Sequence, residues 1–114
     1  MSQCIFCQMV AGTIKPAVVH EDELTLAFRD INPQAPVHVL VIPKAHVANL
    51  NELPADAPGL ATALFETVKR VAALEGIAES GYRTVVNCLG DAGQAVDHLH
   101  LHVLGGRRLH WPPG

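Results

Sequence analysis

Cysteine is scarce in this chain. Three such residues cannot all pair with one another, so a disulfide framework is excluded and Cys4 and Cys7 need another explanation. Basic runs are absent as well: 8 Lys+Arg stand against 11 Asp+Glu for a formal charge of -3. That balance argues against a broad nucleic-acid surface and stays compatible with a small phosphorylated ligand. No long hydrophobic run occurs either. The longest apolar stretch, VLVIP, is far too short to cross a membrane, and MSQCIFCQ has neither the positive charge nor the apolar core of a signal peptide. A cytoplasmic protein with no nucleic-acid and no membrane partner is therefore expected. Repeats and low-complexity tracts are also missing.

What is present suits one packed unit. Of the 114 residues, 49% are hydrophobic and 17% charged, enough for a single domain over 1–114 with one real core. CIFCQMVAG reads as a short helix or turn ended by Gly12, after which Pro16 forces the chain extended. AVVH and LTLAF are strand candidates joined by an EDE turn. VHVLVIP alternates cleanly, with His38, Leu40 and Ile42 on one face and Val37, Val39 and Val41 on the other, and Pro43 closes it. The one strong helix has Asp56 as its N-cap and runs to about Gly76, with Leu60, Leu64, Val68, Val71 and Leu74 as its apolar stripe. RTVVNCL reads as a further strand and GDAGQ as a loop. The sum is an α+β fold: about five mostly antiparallel strands carrying one long helix.

The stretch DHLHLHVLGG, Asp97 to Gly106, places His98, His100 and His102 at alternate positions. Residues at i, i+2 and i+4 share a face on a strand and scatter around a helix, so a strand is the economical reading, with neighbouring Cα atoms about 6 to 7 Å apart on that face. Leu99, Leu101 and Val103 then fill the core while three imidazoles line the opposite side. Such a row can bind a metal or act on a phosphate as nucleophile and electrostatic clamp. Just upstream, GDAGQAV favours the anion, because Gly93 permits close backbone approach and neighbouring N–H groups are available to phosphate oxygens.

QAVDHLHLHVL, Gln94 to Leu104, resembles the signature of the histidine triad (HIT) superfamily of nucleotide hydrolases. AFRDINPQAPVHVLVIPKAHV, GYRTVVN and GGRRLHWPPG extend the likeness to the histidine triad nucleotide-binding protein branch over nearly the whole chain. The resemblance implies a homodimer whose sheet continues across the two-fold axis, binding purine nucleoside monophosphates and hydrolysing nucleoside 5'-phosphoramidates. It implies that His100 is the nucleophile, which forms a covalent nucleotidyl intermediate, that His102 hydrogen-bonds the phosphate or leaving group, and that His38 orients or charge-balances the nucleophile. Asn87 would hold a phosphate oxygen, beside Gly93, Gln94, Ala95 and Val96. Ile5, Phe6, Met9, Phe28, Ile31 and Leu40 would sandwich the base, and Asp30 would accept from the ribose hydroxyls. Trp111, in the stiff HWPPG tail, would approach the opposite subunit's nucleotide site.

Ala95 departs from this pattern, since the branch usually carries serine in its Gln-Ser-Val segment; slower turnover or an altered leaving-group preference follows. Cys4 and Cys7 have the Cys-x2-Cys spacing of half a tetrahedral zinc site, with two unligated thiols as the plain alternative. The resemblance supplies the other half as His46 and His98, giving a structural zinc and no cofactor required for catalysis. Two further functions stay open: a dinucleoside polyphosphate hydrolase, against which HWPPG argues, and a non-catalytic nucleotide-binding scaffold.

Overall fold

Alternation along VHVLVIP decides the architecture, because it leaves one strand apolar on both faces. The computed structural model describes residues 3–114, and in it that stretch is β3 (Val37–Pro43), the central strand of a five-stranded sheet. Around it lie β1 (Val18–Glu21), β2 (Thr25–Arg29), β4 (Tyr82–Val85) and β5 (Leu101–Gly105), in the order β1-β2-β3-β5-β4. Every neighbouring pair is antiparallel, with Phe28 opposite Leu40 and Leu40 opposite His102. The α+β class read from the sequence is the class observed.

Two apolar layers follow from the strand period of two. On one face Ala27, Val39, Val41, Leu101 and Val103 pack with Leu99 against Leu64, Val68, Val71 and Ala72 of the long helix α2 (Pro58–Leu74). On the other face Phe28, Leu26, Leu40 and Ile42 pack against Phe6 of α1 (Ile5–Ala11). The first layer holds the domain together. The second is the floor of the site.

Four local expectations are corrected. The N-cap of α2 is Ala57, not Asp56, because Pro58 at the first helical position presets the helical φ and begins the helix two residues after Asp56. Leu74 is 55% exposed; its place in the stripe is taken by buried Thr67, whose hydroxyl lies 2.7 Å from that of Thr25. GDAGQ is not all loop, since Leu89–Ala92 forms a single helical turn, α3, closed by Gly93 at φ 77°. Finally, the histidine strand is shorter than read. The Leu99 N–H donates to the Val47 carbonyl at 2.6 Å, which diverts residues 98–100 from the sheet, so β5 begins only at Leu101 and β4 ends opposite His102, short of Asn87.

Candidate active site and candidate metal centre

Three histidines and one carboxylate meet where β3 and β5 run side by side. His38 and His102 are diagonal neighbours on one face, because Leu40 is opposite His102 and His38 opposite Leu104. Nε2 of His38 lies 2.9 Å from Nδ1 of His102 and 3.4 Å from Oδ2 of Asp30. His38 thus has His102 as its imidazole partner. His100, diverted ahead of the strand, lies beside His102 with ring centroids 5.1 Å apart.

The backbone fixes which ring nitrogens carry hydrogen. A carbonyl can only accept, so Nδ1 of His100, 2.7 Å from the His98 carbonyl, must be protonated, which leaves Nε2 with its lone pair. The Gln34 N–H can only donate, and it donates to Nδ1 of His38 at 3.0 Å, so the hydrogen of a neutral His38 sits on Nε2. That hydrogen faces Nδ1 of His102, which must accept, placing the His102 hydrogen on its own Nε2. In its neutral form His100 therefore has its lone pair on Nε2, beside a donor on His102.

Burial favours the neutral forms of His38 and His102. It lowers the pKa of His102 to about 4, helped by the positive forms of neighbouring His100 and His38 and opposed by Asp30. Burial also lowers that of His38, again against the attraction of Asp30.

His100 and His102 form one wall of a cavity of about 390 Å³. Ile5, Phe6, Met9, Phe28, Asp30, Ile31, Leu40, Ala95 and Val96 line the rest, which brings together every residue assigned to the base and ribose. Asp30 also accepts from the Asn32 N–H at 2.8 Å, so its carboxylate is held in place by its own turn. The sequence reading missed Ile14, Lys15 and Pro16, from a segment legible only as extended chain, and Arg29 at the end of β2, which complete the rim. Asn87, Gly93 and Gln94 do not line the cavity. Amides expected near a phosphate are otherwise engaged: the Gly93 and Gln94 N–H groups donate to the Gly90 and Leu89 carbonyls and close α3. The Gln94 side chain braces the loop, donating to the Ala48 and Val96 carbonyls and accepting from the Leu89 N–H. Trp111 is 79% exposed, with the Arg83 guanidinium 6.0 Å from its ring centre.

A second cluster adjoins the first. Sγ of Cys4 and Cys7 and Nδ1 of His46 and His98 all lie within 4.8 Å of one another. Nδ1 of His98 is 3.3 Å from the Cys4 sulfur and 3.5 Å from that of Cys7, and His46 is 3.2 Å from Cys7. Four ligands around a tetrahedral zinc, with bonds of about 2.3 Å to sulfur and 2.0 to 2.1 Å to nitrogen, stand roughly 3.5 Å apart. The Pro43 carbonyl accepts from Nε2–H of His98 at 2.9 Å, which turns the Nδ1 lone pair toward the sulfurs. Donor chemistry, spacing and tautomer thus fit zinc, and four protein ligands would leave it no open position.

Comparison with known proteins gives the family. The sequence matches the HIT domain over residues 11–109. The chain belongs to the HIT domain family. It is 54% identical over 110 residues to an uncharacterized HIT-like protein of Synechococcus elongatus, covering 96% of each chain. The 14 kDa zinc-binding protein of Zea mays is 45% identical over 118 residues, covering 99% of this chain and 89% of that one. Among solved structures, a HIT family hydrolase from Legionella pneumophila Philadelphia 1 superimposes with a TM-score of 0.95 at 48% identity, over 98% of this chain and 100% of that one. Among the described residues, no helix of this HIT domain is long and apolar enough to cross a membrane.

The lowered pKa values of His38 and His102 fix a sign for acid stability. An unfolded histidine titrates near 6.5, whereas folded His102 stays neutral down to about 4. Between those values the unfolded chain binds a proton that the native site does not, so stability falls as pH drops through this window and is unaffected by His102 above it. Urea midpoints measured from pH 7.5 to 4.5 should decline, and His102→Gln should decline less steeply than the parent. Parallel curves would contradict the assignment.

Proposed function

We propose that this HIT domain hydrolyses purine nucleoside 5'-phosphoramidates through a nucleotidyl-histidine intermediate. One observation carries the reading: His100, its Nδ1–H held by the His98 carbonyl, presents an unprotonated Nε2 on the wall of an apolar cavity that also holds a carboxylate. The apolar residues of α1, β2 and β3 suit a flat base, and Asp30 suits two adjacent ribose hydroxyls.

Nε2 of His100 attacks phosphorus and the P–N bond breaks, the departing nitrogen taking a proton from solvent and leaving as amine. The new N–P bond resides on a ring that keeps its Nδ1–H, so the positive charge of the intermediate is stabilised by the His98 carbonyl. Water then attacks phosphorus, the N–P bond breaks, the nucleoside monophosphate leaves, and the water's proton returns to solvent. His102 donates from Nε2 to a phosphoryl oxygen throughout, and His38 holds it in that tautomer. Asn87 and the backbone at Ala95 and Val96 are assigned to the remaining phosphate oxygens. Alanine at 95 removes a hydroxyl that would otherwise reach the phosphate or leaving group, which slows turnover without touching the nucleophile.

The Cys4, Cys7, His46 and His98 cluster would hold a structural zinc, which when bound cross-links α1 to the segment carrying the nucleophile. The active form is a homodimer in the cytoplasm. β4 is an edge strand of the sheet, and Phe65 of α2 is 60% exposed; both suit a sheet continued across a two-fold axis. Trp111 then lies near the partner's cavity.

Three measurements test these assignments. His100→Ala should retain nucleoside monophosphate binding and lose adenosine 5'-phosphoramidate hydrolysis by about 10³-fold or more; ordinary turnover would remove the nucleophile. Metal analysis of freshly purified protein should find about one zinc per chain, and Cys4→Ser should lower thermal stability more than turnover per folded molecule. A metal-free, fully folded sample would refute that site. Sedimentation at micromolar concentration should give a dimer, and a monomer would contradict the interface.

A further inference from the structure

The end of β5 carries the sequence Gly105-Gly106-Arg107, and both glycines are places of close approach. Gly105 pairs with Val37, and a Cβ on it would meet Ile77 at 2.8 Å. Gly106, at φ +89°, could carry no Cβ without meeting that of Pro36 at 2.9 Å. With no side chains between them, the turn lies directly on the segment that leads into β3. Arg107 is thereby brought over that segment, where its Nη2 donates to the Gln34 carbonyl at 3.0 Å and its Nη1 to the Arg108 carbonyl at 3.0 Å. A guanidinium held at two nitrogens is a rigid fork, and lysine cannot reproduce it in full.

Gln34 is also the residue whose N–H donates to Nδ1 of His38. One residue thus has its carbonyl held by Arg107 and its amide aimed at the triad. If that amide moved away, His38 would be free to carry its hydrogen on Nδ1 and to present a lone pair to His102. His102 would then have to turn its own hydrogen toward His38 and away from the ligand. Arg107 itself lies outside the residues that line the cavity.

We propose that Arg107 is a positioning residue that fixes the tautomer of His102 through Gln34 and His38, a role that builds on the hydrolase reading above. It has no contact with substrate. It acts by holding a backbone amide whose only acceptor in the site is an imidazole nitrogen.

Long-range ¹⁵N–¹H correlation spectra of the full-length, histidine-labelled protein at pH 7.5 read the ring tautomers directly. In the parent, His38 and His102 should both carry hydrogen on Nε2. In Arg107→Ala the His38 signals should shift toward a mixture of tautomers. Its kcat on an adenosine 5'-phosphoramidate should fall about tenfold with KM little changed, a modest loss because the tether is a single exposed hydrogen bond. Arg107→Lys should recover part of both, and Arg108→Ala, which removes the same charge one residue on, should change neither. If Arg107→Ala does not fold, Arg107→Gln serves for the same measurement. An unaltered His38 tautomer overturns the proposal whatever the rate does. A parent protein inactive on phosphoramidates would remove the catalytic reading, while the spectra would still decide the role of Arg107.

Discussion

The carbonyl of His98 governs this site. It accepts the hydrogen of the neighbouring imidazole two residues on, and that one contact decides which nitrogen of a neutral His100 carries the lone pair. The contact exists only because the chain leaves the sheet at this point. In a regular strand the His98 carbonyl would lie in the ladder, pointing at a neighbouring strand and unavailable to a side chain of its own segment. The bond from the Leu99 amide to Val47 prevents that, pulling residues 98–100 toward the loop after β3 and freeing the carbonyl. A short departure from regular structure is therefore the source of the chemistry, and the hydrophobic anchoring of Leu99, 1% exposed, keeps it in place.

The same small segment joins two centres. α1 has only seven residues, too short to persist as a helix without tertiary support, since isolated helices below about 12 residues are marginal. Cys4 caps it and Cys7 lies on it, while Ile5, Phe6 and Met9 from the same turns line the cavity. Phe6 stands edge-on to both His98 and His100, with centroids 5.8 and 5.3 Å away. Whatever fixes the sulfurs and His98 also fixes the wall against which a base would stack. The Cys/His cluster and the apolar cavity are two faces of one packed unit, and neither can be displaced without moving the other.

Much of this was legible in the sequence, and the illegible part has a common cause. The strict alternation of VHVLVIP and of the leucines between the histidines places the right residues in each core layer, because the strand period admits no other division. The residues that the family resemblance assigned to the base and ribose line one cavity, while Ile14, Lys15, Pro16 and Arg29 on its rim went unread. What failed depended on the backbone. Asp56 has the right side chain for a cap, yet the proline at 58 determines where the helix starts. That His38 meets His102 was not legible, because a diagonal neighbour across two strands is set by register, which one strand's sequence does not contain. Gln34 and Arg107 carried no signal at all as parts of a site, since one acts through its amide and carbonyl and the other through a bond to that carbonyl.

Three histidines of one row thus have three different roles although their side chains are chemically identical. The distinction is made by what each ring meets in the main chain. His98 gives its Nε2 hydrogen to the Pro43 carbonyl and turns Nδ1 to the sulfurs; His100 gives its Nδ1 hydrogen to the His98 carbonyl, which leaves the lone pair of the neutral ring on Nε2. His102 has another imidazole as its partner, and that imidazole is set in turn by the Gln34 amide. Because peptide groups are fixed donors and acceptors that do not titrate near neutral pH, they impose a tautomer without adding a charge to a buried site. A carboxylate in the place of either carbonyl would orient the ring equally well, but it would also favour the imidazolium and so take away the lone pair that a ligand or a nucleophile needs. Orientation by the main chain fixes the imidazole without favouring its charged form, and the neutral form is the one that metal binding or attack at phosphorus would require.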